Sequence, residues 1–167
     1  QLAICSGCGQ RRPGYDTLRQ RSFEFVPLWG ILVFFLYAPR RVECPHCGVK
    51  VERLPWAQGK CHLTTTYAWF LATWAKRLSW KEVAEVFHTS WDSVVRSVKM
   101  AVEWGLVHRD LSGIMAIGAD EICWRKRKEK FVTLVYQLDA GKRRLLWIGR
   151  DRTAQTFRIF FEGLAKR

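Results

Sequence analysis

The spacing of apolar side chains changes three times along this chain, and each change marks a different kind of element. Between Ser22 and Val26 apolar and polar residues alternate, Pro27–Gly30 reads as a turn, and Ile31–Tyr37 runs apolar without a break. A period of two on either side of a turn predicts a β-hairpin. Residues 55–60 read as a linker. From Leu63 the spacing lengthens to three and four, with Tyr67, Phe70, Leu71, Trp74 and Leu78 on one helical face. Ser79-Trp80-Lys81-Glu82 has the form of a capping box, in which the Ser79 hydroxyl and the Glu82 carboxylate satisfy each other's backbone amides. It opens a short helix with Trp80, Val83, Ala84 and Phe87 on one side. His88-Thr89-Ser90 then makes a turn, and Thr89 is the expected cap of a further helix carrying Trp91, Val94, Val95, Val98 and Val102 inward.

The third pattern begins at residue 113. Gly113–Trp124 reads GIMAIGADEICW, as a central strand buried on both faces would, but with Asp120 and Glu121 in its middle. A buried carboxylate costs several kcal/mol, roughly, unless it is paired or holds a cation. A central acid with apolar surroundings is a common seat for metal-dependent phosphodiester chemistry. The competing reading is a strand end whose acids face solvent or pair with the basic run that follows. Adjacent strand residues point to opposite faces, so Glu121 does not share a site with Asp120 and is expected in a salt bridge. Phe131–Leu138, the turn Asp139–Gly141 and Leu145–Ile148 continue an antiparallel meander. Thr153 then starts a helix with Phe157, Phe160, Phe161 and Leu164 inward. The expected fold class is therefore α+β in several modules: residues 1–60, 61–110 and 111–167.

Charge adds a partner class. Over 167 residues the net charge is +13. Residues 1–60 carry 9 basic side chains against 4 acidic, 61–113 carry 6 against 5, and 114–167 carry 13 against 6. Basic ends around a near-neutral middle point to a polyanion, nucleic acid before an anionic membrane. The longest apolar run, Val26–Ala38, is interrupted by Pro27 and Gly30 and falls short of the roughly 18 residues that suggest a membrane span. No charged-then-apolar leader argues for secretion, and a chain opening on Gln1 rather than Met suggests a missing N-terminal piece.

The six cysteines sharpen the first module. Cys5-Ser-Gly-Cys8 and Cys44-Pro-His-Cys47 are two Cys-x2-Cys pairs, each followed by glycine and separated by 35 residues that contain the hairpin. Two knuckles joined by strands is the zinc-ribbon arrangement, and it predicts one structural zinc on Cys5, Cys8, Cys44 and Cys47. Cys61 and His62 are competing ligands, although their place after the linker favours a core or surface role. Cys123 reads as a small buried apolar residue. The run Ile31–Tyr37 is apolar on both faces, so it is expected to pack on the next module or on a second chain.

The helical segment matches helix-turn-helix geometry. The polar face of its last helix is read as Asp92, Ser93, Arg96, Ser97 and Lys99, with Arg96 and Lys99 positioned to reach phosphates or base edges of double-stranded DNA. A helical bundle with a merely solvated face competes with this, and the segment's near-neutral charge favours that alternative. Arg125, Lys126, Arg127 and Lys128, within the run 125–130, are expected to contact a DNA backbone.

These residues together carry a family resemblance. The order of a double-CxxC ribbon, a helix-turn-helix, then GADE, TLVYQLD and RRLLWIGRDR resembles bacterial insertion-sequence transposases of the ISL-three type. The phrases LSWKEVAEVF, SWDSVV and WGLVHR resemble them too, so the likeness covers essentially the whole chain. The resemblance implies a ribonuclease-H-like DDE domain, of which residues 111–167 are the first half, with three acids holding two divalent metals, Mg or Mn, for DNA cleavage and strand transfer. It matches Asp120 to the first acid and implies recognition of terminal inverted repeats by the ribbon and helix-turn-helix. It also implies a cytoplasmic, nucleoid-associated protein and allows a homo-oligomer. The family's other two acids are expected beyond Arg167, and Asp139 and Asp151 match neither. One carboxylate does not hold two metals, so the chain as given is expected to be a truncated transposase that does not cleave DNA. The alternatives are a non-enzymatic zinc-containing DNA-binding regulator and a decayed transposase remnant.

Overall fold

In a computed structural model residues 2–59, 61–125, 130–141 and 143–165 are described. The chain divides into two compact units, Gln1–His108 and Arg109–Arg167. Among the described residues the class is α+β, with four helices and three sheets.

The first unit holds two sheets and three helices. β1 (Leu2–Ile4), β2 (Arg11–Thr17), β5 (Arg40–Cys44) and β6 (Gly48–Val51) form an antiparallel sheet in the order β1-β2-β5-β6. Arg11–Thr17 reads RRPGYDT, with no alternation to announce a strand. Pairing on both sides holds it there, with a bulge between Gly14 and Asp16. β3 (Arg21–Leu28) and β4 (Ile31–Tyr37) are the expected hairpin, closed by Trp29 and Gly30 at φ +50° and +79°. Positive φ at both turn residues matches the right-handed twist of the flanking strands.

Glu52 ties this region together. Its carboxylate accepts hydrogen bonds from the Tyr37 hydroxyl (2.7 Å), the Arg40 amide (2.8 Å) and the Arg40 guanidinium (2.7 Å). Burial alone would raise its pKa, yet Arg40 and Tyr37 hold it below the usual glutamate value.

The helices follow. α1 (Thr65–Trp74) is capped by Thr64, α2 (Trp80–Val86) by Ser79 with the complete capping box, and α3 (Trp91–Val107) by Ser90. The cap of α3 corrects the expectation for Thr89, whose hydroxyl instead donates to the Glu24 carboxylate at 3.0 Å. Leu63, Tyr67, Leu71, Val83 and Val94 make the core, with Val26 of β3 packed against it. Trp91 and Val102 are exposed rather than inward.

In the second unit β7 (Ile117–Arg125), β8 (Lys130–Gln137) and β9 (Arg144–Arg150) form an antiparallel sheet in that order, and α4 (Ala154–Ala165) packs on it. The Thr153 hydroxyl accepts from the Thr156 amide and caps the helix start. Val135, Leu146 and Phe160 form the core, and Phe161 points to solvent, contrary to expectation. Among the described residues β7 pairs with β8 alone, and its side chains are mostly exposed, which corrects the burial on both faces expected for residues 113–124. Met115 is 89% exposed, Ile117 and Ile122 are exposed, and Cys123 is only half-buried. The apolar composition of β7 exceeds what the neighbouring elements cover.

Candidate functional sites: a cysteine centre, a helix face and an acidic strand

The two Cys-x2-Cys pairs occupy equivalent corners of one sheet. Cys5 follows β1 and Cys8 lies in the turn before β2, while Cys44 ends β5 and Cys47 lies in the turn before β6. Gly9 and Gly48, at φ +73° and +69°, let the chain leave each turn. All four sulfurs lie within 4.8 Å of one another, and Cys8 Sγ and Cys44 Sγ are 3.5 Å apart. A tetrahedral ion with metal–sulfur distances of about 2.3 Å needs sulfurs about 3.8 Å apart, so the set fits one ion. Gly7 completes the fit, because a Cβ there would lie 2.8 Å from Cys47 Sγ.

The electrostatics of the four thiols differ. The backbone amides of Cys8 and Gly7 hold the Cys5 pKa below its usual value. At Cys44 burial pushes upward, but the amides of His46 and Cys47 and the neighbouring thiols bring it to about 6. Burial and the adjacent sulfurs push Cys47 up to about 12. Crowded thiols that cannot all ionise by themselves are the environment a dication neutralises. Cys61 and His62 lie outside the cluster: Cys61 Sγ faces the Leu63 amide, and His62 Nδ1 faces the Ser22 carbonyl.

On α3 the structure separates the predicted polar residues into two groups. Asp92, Arg96 and Lys99 are exposed; Arg96 Nε donates to the Asp92 carbonyl, and Lys99 lies 3.8 Å from Glu103. Ser93 and Ser97 are buried, which corrects their place on the outward face. Ser93 Oγ is 2.8 Å from the capping Ser90 hydroxyl, and the Ser97 hydroxyl donates to the Ser93 carbonyl. Both hydroxyls find partners within the helix end, so the two serines pack inward with their hydrogen bonds satisfied.

Asp120 stands exposed on β7, and its Oδ1 accepts the Glu121 amide at 2.7 Å. Among the described residues no other carboxylate groups with it as a metal site, and Glu121 has no ion pair. Asp139 and Asp151 serve the fold. Asp139 accepts from the amides of Met115 and Ala116 and from Gln137 Nε2, fixing the entry to β7. Asp151, at φ +67°, gives its carbonyl to the Thr133 hydroxyl. Lys126, Arg127 and Lys128 lie outside the described residues, and for Arg125 only its place at the end of β7 is described.

The chain thus carries, in order, a four-thiol centre, three capped helices and an exposed acid on an antiparallel sheet. The family model for DDE transposases of the ISL3 type, described as a transposase, matches residues 117–167. The chain is 33% identical over 173 residues to the transposase for insertion sequence element IS1557 of Mycobacterium tuberculosis, covering 98% of this chain and 36% of that protein. It is 27% identical over 165 residues to the transposase for insertion sequence element IS1001 of Bordetella parapertussis, covering 98% of this chain and 40% of that protein. No solved structure matches. The chain is thus similar to transposases of the ISL3 type, and it spans little more than a third of the length of these curated relatives. Among the described residues no helix is long and apolar enough to cross a membrane.

Proposed function

We propose that this chain is the DNA-recognition part of an insertion-sequence transposase together with the opening of its catalytic domain. In this reading Cys5, Cys8, Cys44 and Cys47 hold a structural zinc, α2 and α3 act as a helix-turn-helix, and residues 109–167 begin a ribonuclease-H-like domain. The observation that carries it is the transposase match over 117–167, which falls on the strand that presents Asp120 to solvent. Asp120 is the acid expected to hold a divalent ion. When bound, a pair of Mg or Mn ions would activate the attacking oxygen and stabilise the leaving one. Asp120 contributes one carboxylate on a hydrogen-bonded strand, and no cleavage is expected from it alone.

Recognition falls to the outward face of α3. Arg96 and Lys99 lie one turn apart and exposed, within reach of a groove or its phosphates. The basic segment from Arg125 to Lys128 adds backbone contacts. The test is binding of the zinc-loaded chain to terminal-repeat DNA and to random duplex, titrated with salt. Preference for the repeats with a steep salt slope is expected, and Arg96→Ala with Lys99→Ala should weaken binding and flatten the slope by about two phosphate contacts. Equal, weak binding to both duplexes would overturn the reading.

A further inference from the structure

Apolar periodicity places Trp91 inward on α3, yet the structure leaves it 54% exposed. It is the first residue of that helix, directly after the Ser90 cap, and Trp80 holds the same place on α2 after Ser79. The two rings lie 6.4 Å apart at an angle of 49°, and Trp80 is 39% exposed. The core around Val83 and Val94 takes in neither of them. Each indole is therefore braced by the other, at the start of two consecutive helices, with much of its surface left to solvent.

Val95 follows Trp91 by four residues, on the same side of α3, and is half-buried. Asp92, Arg96 and Lys99 are exposed beside these two, so the apolar strip is about one side chain wide. Charge on the two helices is nearly balanced, with three basic side chains (Lys81, Arg96, Lys99) against four acidic ones. Such a surface has no basic excess with which to attract phosphates at large. What it offers a duplex is discrimination between base edges.

The geometry points to Trp91, together with Val95, as the reader of thymine methyl groups in the major groove, which rests on α2 and α3 acting as a helix-turn-helix. In that motif the first turns of the second helix meet the base edges. A thymine shows there a methyl group beside hydrogen-bonding atoms, an apolar spot as narrow as this strip. Arg96, on the next row of the helix, suits the acceptors of a neighbouring guanine. Trp80 is a positioning residue, because its ring restricts the directions open to the Trp91 indole. A protein partner fits this surface less well: the core of a protein interface is depleted of charge, and here charged side chains stand within one turn of the indole. Non-specific attraction to the duplex then falls to the ends of the chain, which carry 9 basic against 4 acidic side chains in residues 1–60 and 13 against 6 in 114–167.

Titration of the zinc-loaded chain with terminal-repeat duplex, and with the same duplex carrying uracil in place of thymine, tests this. The exchange removes methyl groups alone, and the parent should lose about fourfold in affinity for each methyl withdrawn from the contact. Trp91→Ala should bind the two duplexes nearly alike, with the parent's salt slope, since an indole releases no counterion. Arg96→Ala should keep the thymine preference. Should the Trp91 variant misfold, 5-bromouracil decides with the parent protein: its bromine stands where the methyl stood, and illumination should yield an adduct at Trp91. Tight, salt-dependent binding to the repeats that ignores the uracil exchange, a Trp91→Ala protein that keeps the thymine preference, or the lack of an adduct at Trp91 would overturn this assignment and leave the helix-turn-helix standing. A parent that does not prefer the repeats to random duplex would overturn both.

Discussion

Individual residues set the chemistry of the cysteine centre and of the contacts behind it. Gly7 is fixed by close approach, since a methyl group there meets Cys47 Sγ at 2.8 Å. Gly7→Ala is expected to lower zinc affinity by about tenfold or more while leaving residues 109–167 intact, as read by competition with a chromogenic chelator. Glu52 is almost fully buried against Arg40 and Tyr37, so removing its charge takes the carboxylate away from the Arg40 cation. Glu52→Gln should cost about 2 kcal/mol at neutral pH, less than a wholly buried pair because Arg40 is partly solvated. The folded state holds the Glu52 pKa below 4.5, so its stabilisation is complete above the unfolded value and is lost as pH falls through the folded one. Urea titrations of both proteins at descending pH should show the gap close below about pH 4.5.

At the scale of elements, local signals and long-range contacts divide the work. Ser79 and Glu82 satisfy each other's amides at the start of α2, a seven-residue helix too short to stand by propensity. Ser79→Ala should destabilise the first unit by about 1 kcal/mol in a thermal melt. In the second unit α4 approaches β9 at Gly149, where a Cβ would meet Trp147 and Thr156 side-chain atoms at 2.0 and 2.5 Å. Gly149→Val should therefore separate helix from sheet and cost about 1–3 kcal/mol, or prevent folding of that unit, as seen in its tryptophan emission. The exposure of β7 belongs to this scale as well. Its apolar residues are exposed because α4 and the segment around Leu111 and Ile114 pack the core beside β8 and β9.

Across the whole molecule, two compact units hold the candidate sites: thiol centre and helices in one, the acidic strand in the other. Metal removal should discriminate between them. A chelator is expected to unfold the β1-β2-β5-β6 sheet, whose knuckles have few apolar contacts beyond Ala3, Val42 and the cysteines, while the melting of residues 109–167 stays unchanged. Backbone amide exchange with and without chelator would report each unit separately. The basic excess is likewise a whole-chain property, and its readout is the salt dependence of DNA binding rather than stability.

The sequence by itself determined what depends on near neighbours or on stoichiometry. Two Cys-x2-Cys pairs with trailing glycines need only the spacing of a tight turn, and the capping box needs only three residues. The β3–β4 turn and the α1 face likewise follow from short-range periodicity. The basic ends and the resemblance to transposases were legible in the same way. The tertiary structure decided whatever depends on which surface meets which. Arg11–Thr17 became a strand through its two neighbours, against its own composition. Ser90 rather than Thr89 caps α3 because Glu24, 65 residues before Thr89, claims the Thr89 hydroxyl. Ser93 and Ser97 turned inward because their hydroxyls could be satisfied within the helix end. Asp120 came to lie exposed, on a strand that among the described residues pairs on one side, because pairing is set by long-range contacts that periodicity along a single segment does not encode.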